Sequence, residues 1–79
     1  MDGYMGQVLL FAGSFVPGNW LTCDGQLLEI SVYTALYSIL GTTFGGDGST
    51  TFALPDLRSV QPNGFLYIIC VSGDYPPHP

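Results

Sequence analysis

Phe65-Leu-Tyr-Ile-Ile-Cys-Val71 carries no charge and is made mostly of aromatic and β-branched residues, which suit a pleated strand better than a helix. A strand with one wet face alternates apolar and polar residues. This one is apolar almost throughout, so burial on both faces is expected, with a central place in a sheet. A second short apolar run, Gln7-Val-Leu-Leu-Phe-Ala12, ends at Gly13 and reads as a buried strand, and the central strand is expected beside it or beside the hairpin that follows. Pro17-Gly-Asn19 marks a tight turn. Beyond it, Trp20-Leu-Thr-Cys23 and Gln26-Leu-Leu-Glu29 flank Asp24-Gly25, a strong short-range signal for a β-hairpin.

One helix is expected, from a Ser31 cap to Gly41. Val32, Ala35, Leu36, Ile39 and Leu40 fall on one apolar stripe. Tyr33, Thr34, Tyr37 and Ser38 then form an uncharged outer face, suited to contact or to glycan attachment. Residues 41–51 form a Gly/Thr/Ser-rich loop, Thr50-Thr-Phe-Ala-Leu54 is extended, and Pro55 keeps Leu54 out of helix. Tyr75-Pro-Pro-His-Pro79 reads as an extended polyproline II tail. The fold class is therefore α+β: a small single domain over residues 1–79, with short strands, one hairpin, one helix and long glycine-rich loops. Its expected core is Val8, Leu10, Trp20, Leu27, Ile30, Leu36, Ile39, Leu40, Phe52, Leu54, Leu57, Ile68 and Cys70.

Charge sets the functional bounds. Of 79 residues 9% are charged and 47% hydrophobic, whereas soluble domains carry about 25% charged residues. A small domain buries only about 60–65% of its unfolded surface, so it has proportionally more surface to keep wet. Scarce charge therefore implies that neighbours, or attached sugar, cover part of the outside. The net charge of −5, with Arg58 the sole Lys or Arg, excludes nucleic-acid binding, which requires several cations. No apolar run approaches the ~18 residues of a membrane span. Met1-Asp-Gly-Tyr4 lacks the basic start and long apolar core of a secretory signal.

Little in the chain can carry chemistry. Gly41-Thr-Thr-Phe-Gly-Gly-Asp-Gly48 lacks the Lys of a phosphate-binding loop. Its Gly-Gly-Asp-Gly segment faintly echoes a calcium repeat, leaving a cation at Asp47 as a minor alternative. His78 is the one imidazole and stands in the tail, so no Ser–His triad is available. A carboxylate pair such as Asp47 and Asp56 has no supporting spacing. No catalytic residue, metal site or cofactor is implied. Arg58 is expected to clamp Asp56, Asp24 or loop carbonyls. Cys23 and Cys70 are either a disulfide, contributing ~4 kcal/mol, or two buried thiols.

Several motifs in one order carry a resemblance: Gly6-Gln-Val-Leu-Leu-Phe-Ala-Gly13, Trp20-Leu-Thr-Cys-Asp-Gly-Gln26, Thr34-Ala-Leu36, Gly41-Thr-Thr-Phe-Gly-Gly-Asp-Gly48 and Thr51-Phe-Ala-Leu-Pro-Asp-Leu-Arg58. Together they resemble the phage tail collar domain, a family that includes short tail fibres and microcystin-dependent proteins. In that family the Pro-Asp-Leu-Arg motif opens into a long variable insertion. Here Arg58 leads within a few residues to Pro62-Asn-Gly-Phe-Leu-Tyr-Ile-Ile-Cys-Val71, like the returning strand with the insertion absent. The resemblance implies the scaffold and a place in a virion or extracellular appendage.

The function expected is a self-assembling structural subunit, with residues 1–11 docking on a neighbour's sheet edge. Exposed Ser and Thr are available for O-linked sugar, though no Asn-x-Ser/Thr sequon exists. The alternative is a minimal fibre tip that binds surface carbohydrate or receptor through Trp20, Tyr33 and Tyr37.

Overall fold

The computed structural model describes residues 3–76. The expectations for His78 and for the last residues of the tail fall outside that range, as do Met1 and Asp2. Five short strands and one helix run in the order β1 (Val8–Phe11), β2 (Trp20–Thr22), β3 (Leu27–Glu29), α1 (Thr34–Leu40), β4 (Thr51–Ala53) and β5 (Leu66–Cys70). They form a three-stranded sheet, β1-β5-β2, and a two-stranded sheet, β3-β4, all pairs antiparallel. The α+β class holds.

The apolar run that opens the sequence reading is the middle strand. Consecutive side chains of β5 point to opposite faces, yet Ile68, Ile69 and Cys70 are all buried. On one face Ile69 joins Cys23, Leu28, Leu36, Phe52, Leu54 and Val71. On the other, Ile68 and Cys70 pack with Trp20, screened by Leu9, Phe11, Val16 and Leu66. Full burial of each isoleucine removes apolar surface worth about 1.5–3 kcal/mol, so this strand anchors both clusters.

The expected hairpin does not form. β2 pairs with β5 through Trp20↔Cys70, Leu21↔Ile69 and Thr22↔Ile68, while β3 pairs with β4 in the other sheet. Asp24-Gly25 is instead a corner between sheets. Cys23 O accepts from Leu57 N at 2.9 Å, and Asp24 forms an isolated bridge with Asp56. The local turn signal was outweighed by the buried ladder that β5 offers to Trp20 and Leu21.

This change alters the core. Leu27 is exposed and Leu28 takes the inward place, because β3 faces β4 rather than β2. Val8 and Leu10 are also exposed. Their register partners Ile69 and Tyr67 place them on the face of the larger cluster, but at the sheet's edge, beyond the helix and second sheet. Trp20, Leu36, Phe52, Leu54, Ile68 and Cys70 are buried as expected, with Ile30, Leu40 and Leu57 packed against the larger cluster.

The helix cap lies two residues later than expected. Ile30 N still donates to Thr50 O, so the chain stays in the β3–β4 ladder past Glu29. Tyr33 is the N-cap, with no side-chain cap, so Ser31 does not serve. Gly41 ends the helix at φ 56, its N–H donating to Tyr37 O at 2.7 Å. The inward face is Tyr33, Leu36, Tyr37 and Leu40, while Val32 and Ala35 are exposed. The start of the expected tail is tied to the helix, with Tyr75 OH 2.8 Å from Ser38 Oγ, and just before it Asp74 bridges Tyr4.

Candidate functional site

The side chains singled out from sequence separate into three places. Asp24, Asp56 and Arg58 meet at the corner between the sheets. Arg58 Nε and Nη2 donate to Asp56 Oδ1 and Oδ2 at 2.9 and 2.7 Å, and Arg58 N donates to Oδ1 at 3.2 Å. Two guanidinium donors meeting both oxygens form the fork geometry that lysine cannot supply. The Arg58 hydrogen bonds hold the Asp56 carboxyl at about 2, below the ordinary 3.8, and Asp56 raises Arg58 in return. Asp24 Oδ1 accepts from Gln26 N at 3.1 Å, which shapes the corner. The expected clamp thus closes on Asp56, in the open: the two side chains keep 63% and 48% of their surface.

The cysteines are free and buried, which settles the two readings in favour of thiols. Cys23 sits in the larger cluster and Cys70 in the smaller, on opposite faces of one sheet. Burial, with Asp24 adding to it, pushes the Cys23 thiol up to about 11. It stays protonated at neutral pH and is a poor nucleophile.

The aromatic residues face inward. Trp20 is 3% exposed, and Tyr33 and Tyr37 pack against the larger core cluster, with the Tyr37 ring 5.4 Å from Phe52. The three do not form an exposed stacking platform for sugar. The helix therefore presents Thr34, Ala35 and Ser38 outward, with Val32 exposed just before it, not an aromatic face.

Asp47 has a definite local role. Its Oδ1 accepts from the backbone N–H of Ser49, Thr50 and Thr51 at 2.8, 2.8 and 3.0 Å, and Oδ2 from Thr50 Oγ1 at 3.0 Å. These donors hold the carboxyl far below its ordinary range. Hydrogens converge where a cation would sit, so the carboxylate closes the loop instead. The signal was present in Asp47-Gly-Ser-Thr-Thr51, where an Asp precedes free N–H groups in a turn.

Sequence reasoning missed the outward apolar side chains of β1, Val8 and Leu10. The most exposed of the other apolar groups are Phe15, Val32, Leu27 and Val60, on separate segments. No described helix is long and apolar enough to cross a membrane.

Comparison with known families matches residues 6–66 to the model of the Phage Tail Collar Domain. The chain belongs to the phage tail collar domain family. The collar match runs from the turn before β1 to the first residue of β5, and so takes in β1 to β4 and the helix but stops short of most of the central strand. The family is structural, and its domain is found in phage tail fibres. This collar domain is also similar to Protein RhiB of Rhizobium leguminosarum bv. viciae, 41% identical over 50 residues. That similarity covers 60% of this chain but 23% of RhiB, so the chain spans about a quarter of that relative's length.

Proposed function

We propose that this collar domain is a non-enzymatic structural subunit that associates with copies of itself in an extracellular fibre, appendage or phage tail-like assembly. The observation that carries the reading is the exterior. Phe15, Val32, Leu27 and Val60 keep 60–80% of their surface in a chain with 9% charged residues (78, 65, 62 and 61% in that order). Scattered single apolar residues are normal on a surface. Here they coincide with almost no ionised groups to separate them, and covering by neighbours resolves that imbalance.

Sugar is a second way to cover such a surface, and Thr42 and Thr43 are exposed positions where an O-linked chain fits. An intact mass equal to that of the bare chain removes it. Negative-stain microscopy and light scattering of native material test the main reading. Particles or filaments built from many copies are expected. A monodisperse 8.5 kDa monomer at all concentrations overturns it.

A further inference from the structure

We propose that the free edge of β1 is a self-contact, pairing antiparallel with the β1 edge of a second copy of this chain; this rests on the self-association reading above. Sheet edges invite further strands, and proteins normally blunt them with charge, Pro, shortness or a covering loop. Three of the four edges here are blunted. β2 is three residues long, and its Thr22 carbonyl accepts from Gln26 Nε2 and Asp24 N at 3.2 and 3.0 Å. β3 carries Glu29. β4 is covered by the adjoining loop, with Ala53 N donating to Gly45 O and Gly48 N to Thr51 O. β1 has no charge and no Pro.

The geometry of β1 suits a strand partner. Cys70 N donates to Gln7 O, and the antiparallel ladder alternates, so the backbone groups of Val8 and Leu10 turn away from β5. The side chains of the same two residues are 38% and 46% exposed. A two-fold axis at Leu9 sets Val8 opposite Leu10 of the second copy and the reverse. Directly opposed residues share a face, so the four apolar side chains cover one another.

Charge selects a copy of this chain as the occupant. With six acids and one Arg, two copies repel unless they meet where no carboxylate lies. β1 itself carries none, and Asp74, which bridges Tyr4, lies before the strand's first residue and not along it. A two-fold contact also requires only that one patch complement itself, which a neutral apolar strand does. A basic partner would find no carboxylate along β1 itself. Four residues make a contact well below a standard interface of ~1,600 Å², so association through β1 alone is weak and concentration-dependent.

Sedimentation velocity over a wide concentration range tests this on the full chain. Leu10→Lys is expected to weaken self-association by about tenfold or more, by stranding a charge between the copies. Asn63→Lys makes the same charge change at an exposed polar turn position and should leave association intact. Circular dichroism checks that both variants fold, and Val8→Lys replaces Leu10→Lys if that one does not. In the native chain, amide exchange at Val8 and Leu10 should slow as concentration rises. A chain that stays monomeric overturns the contact and the self-association reading together, including the case in which another protein occupies the edge. Assembly unaffected by Leu10→Lys, or weakened equally by Asn63→Lys, or with exchange at β1 unchanged, overturns the contact alone.

Discussion

Cys23 and Cys70 stand on opposite faces of the same three-stranded sheet, each fully inside its own cluster. No rotamer brings the two sulfurs together through the sheet, so oxidation of the folded chain forms no internal disulfide. Both thiols should resist a water-soluble thiol reagent in buffer and react fully in denaturant. Cys23→Ala should be mild, while Cys23→Ser should cost about 1–3 kcal/mol by burying a hydroxyl among apolar side chains. Urea denaturation measures both. Rapid labelling of the native protein would contradict the placement.

The ring of Tyr37 lies 5.4 Å from that of Phe52 at 57°, a tilted pairing worth about 0.5–1.5 kcal/mol beyond area burial. Its hydroxyl reaches Gly48 O at 3.4 Å, a long contact on the exposed side. Tyr37→Phe should therefore change stability by under about 1 kcal/mol. Tyr37→Ala opens the space beside a fully buried Phe52 and should cost about 2–4 kcal/mol. Equal losses in the two variants would show that the hydroxyl, not the ring, holds the helix.

What the sequence disclosed follows the range of the interactions that decide it. The central place of β5 was legible because burial on both faces leaves its mark within one uninterrupted apolar run. The Gly41 helix stop and the Arg58–Asp56 clamp were legible for a similar reason, each depending on neighbours a few residues away. Where a distant strand decides, local reading failed. Asp24-Gly25 has the chemistry of a hairpin turn, but β2 finds its partner at residues 68–70 and β3 at 51–53. Losing that pairing exchanged Leu27 for Leu28 in the core. The tyrosines of the helix were placed outward because aliphatic residues define a stripe more sharply than amphipathic rings, which can pack by the ring and keep the hydroxyl wet.

Gly46 lies against the β4 backbone. A methyl group there would overlap the Cα of Phe52 and sit 2.6 Å from Thr51 O, at a φ of +96 that side chains rarely adopt. Backbone cannot swing aside as a flexible side chain does, so Gly46→Ala should cost about 3 kcal/mol or more. Gly18 has open space around its Cβ position. Gly18→Ala should fall within about 0.5 kcal/mol of the native chain. Thermal melts of the pair provide the check, and equal melting temperatures would contradict the close approach.

Acid should remove the Asp56 contribution over a definite range. The carboxyl is lowered to about 2 in the folded chain against an ordinary 3.8, so the unfolded chain binds the proton more readily. The stabilisation is therefore complete above about pH 4 and is lost as pH falls toward 2. Asp56→Asn should melt below the native protein at neutral pH, and the gap should close over that range. Because both side chains are largely in water, added salt should narrow the neutral-pH gap as well. Asp47 titrates lower still, so its loop contacts persist after the Asp56–Arg58 clamp has opened. A gap between Asp56→Asn and native protein that stays constant from pH 6 to pH 2 would show that the clamp does not stabilise the fold.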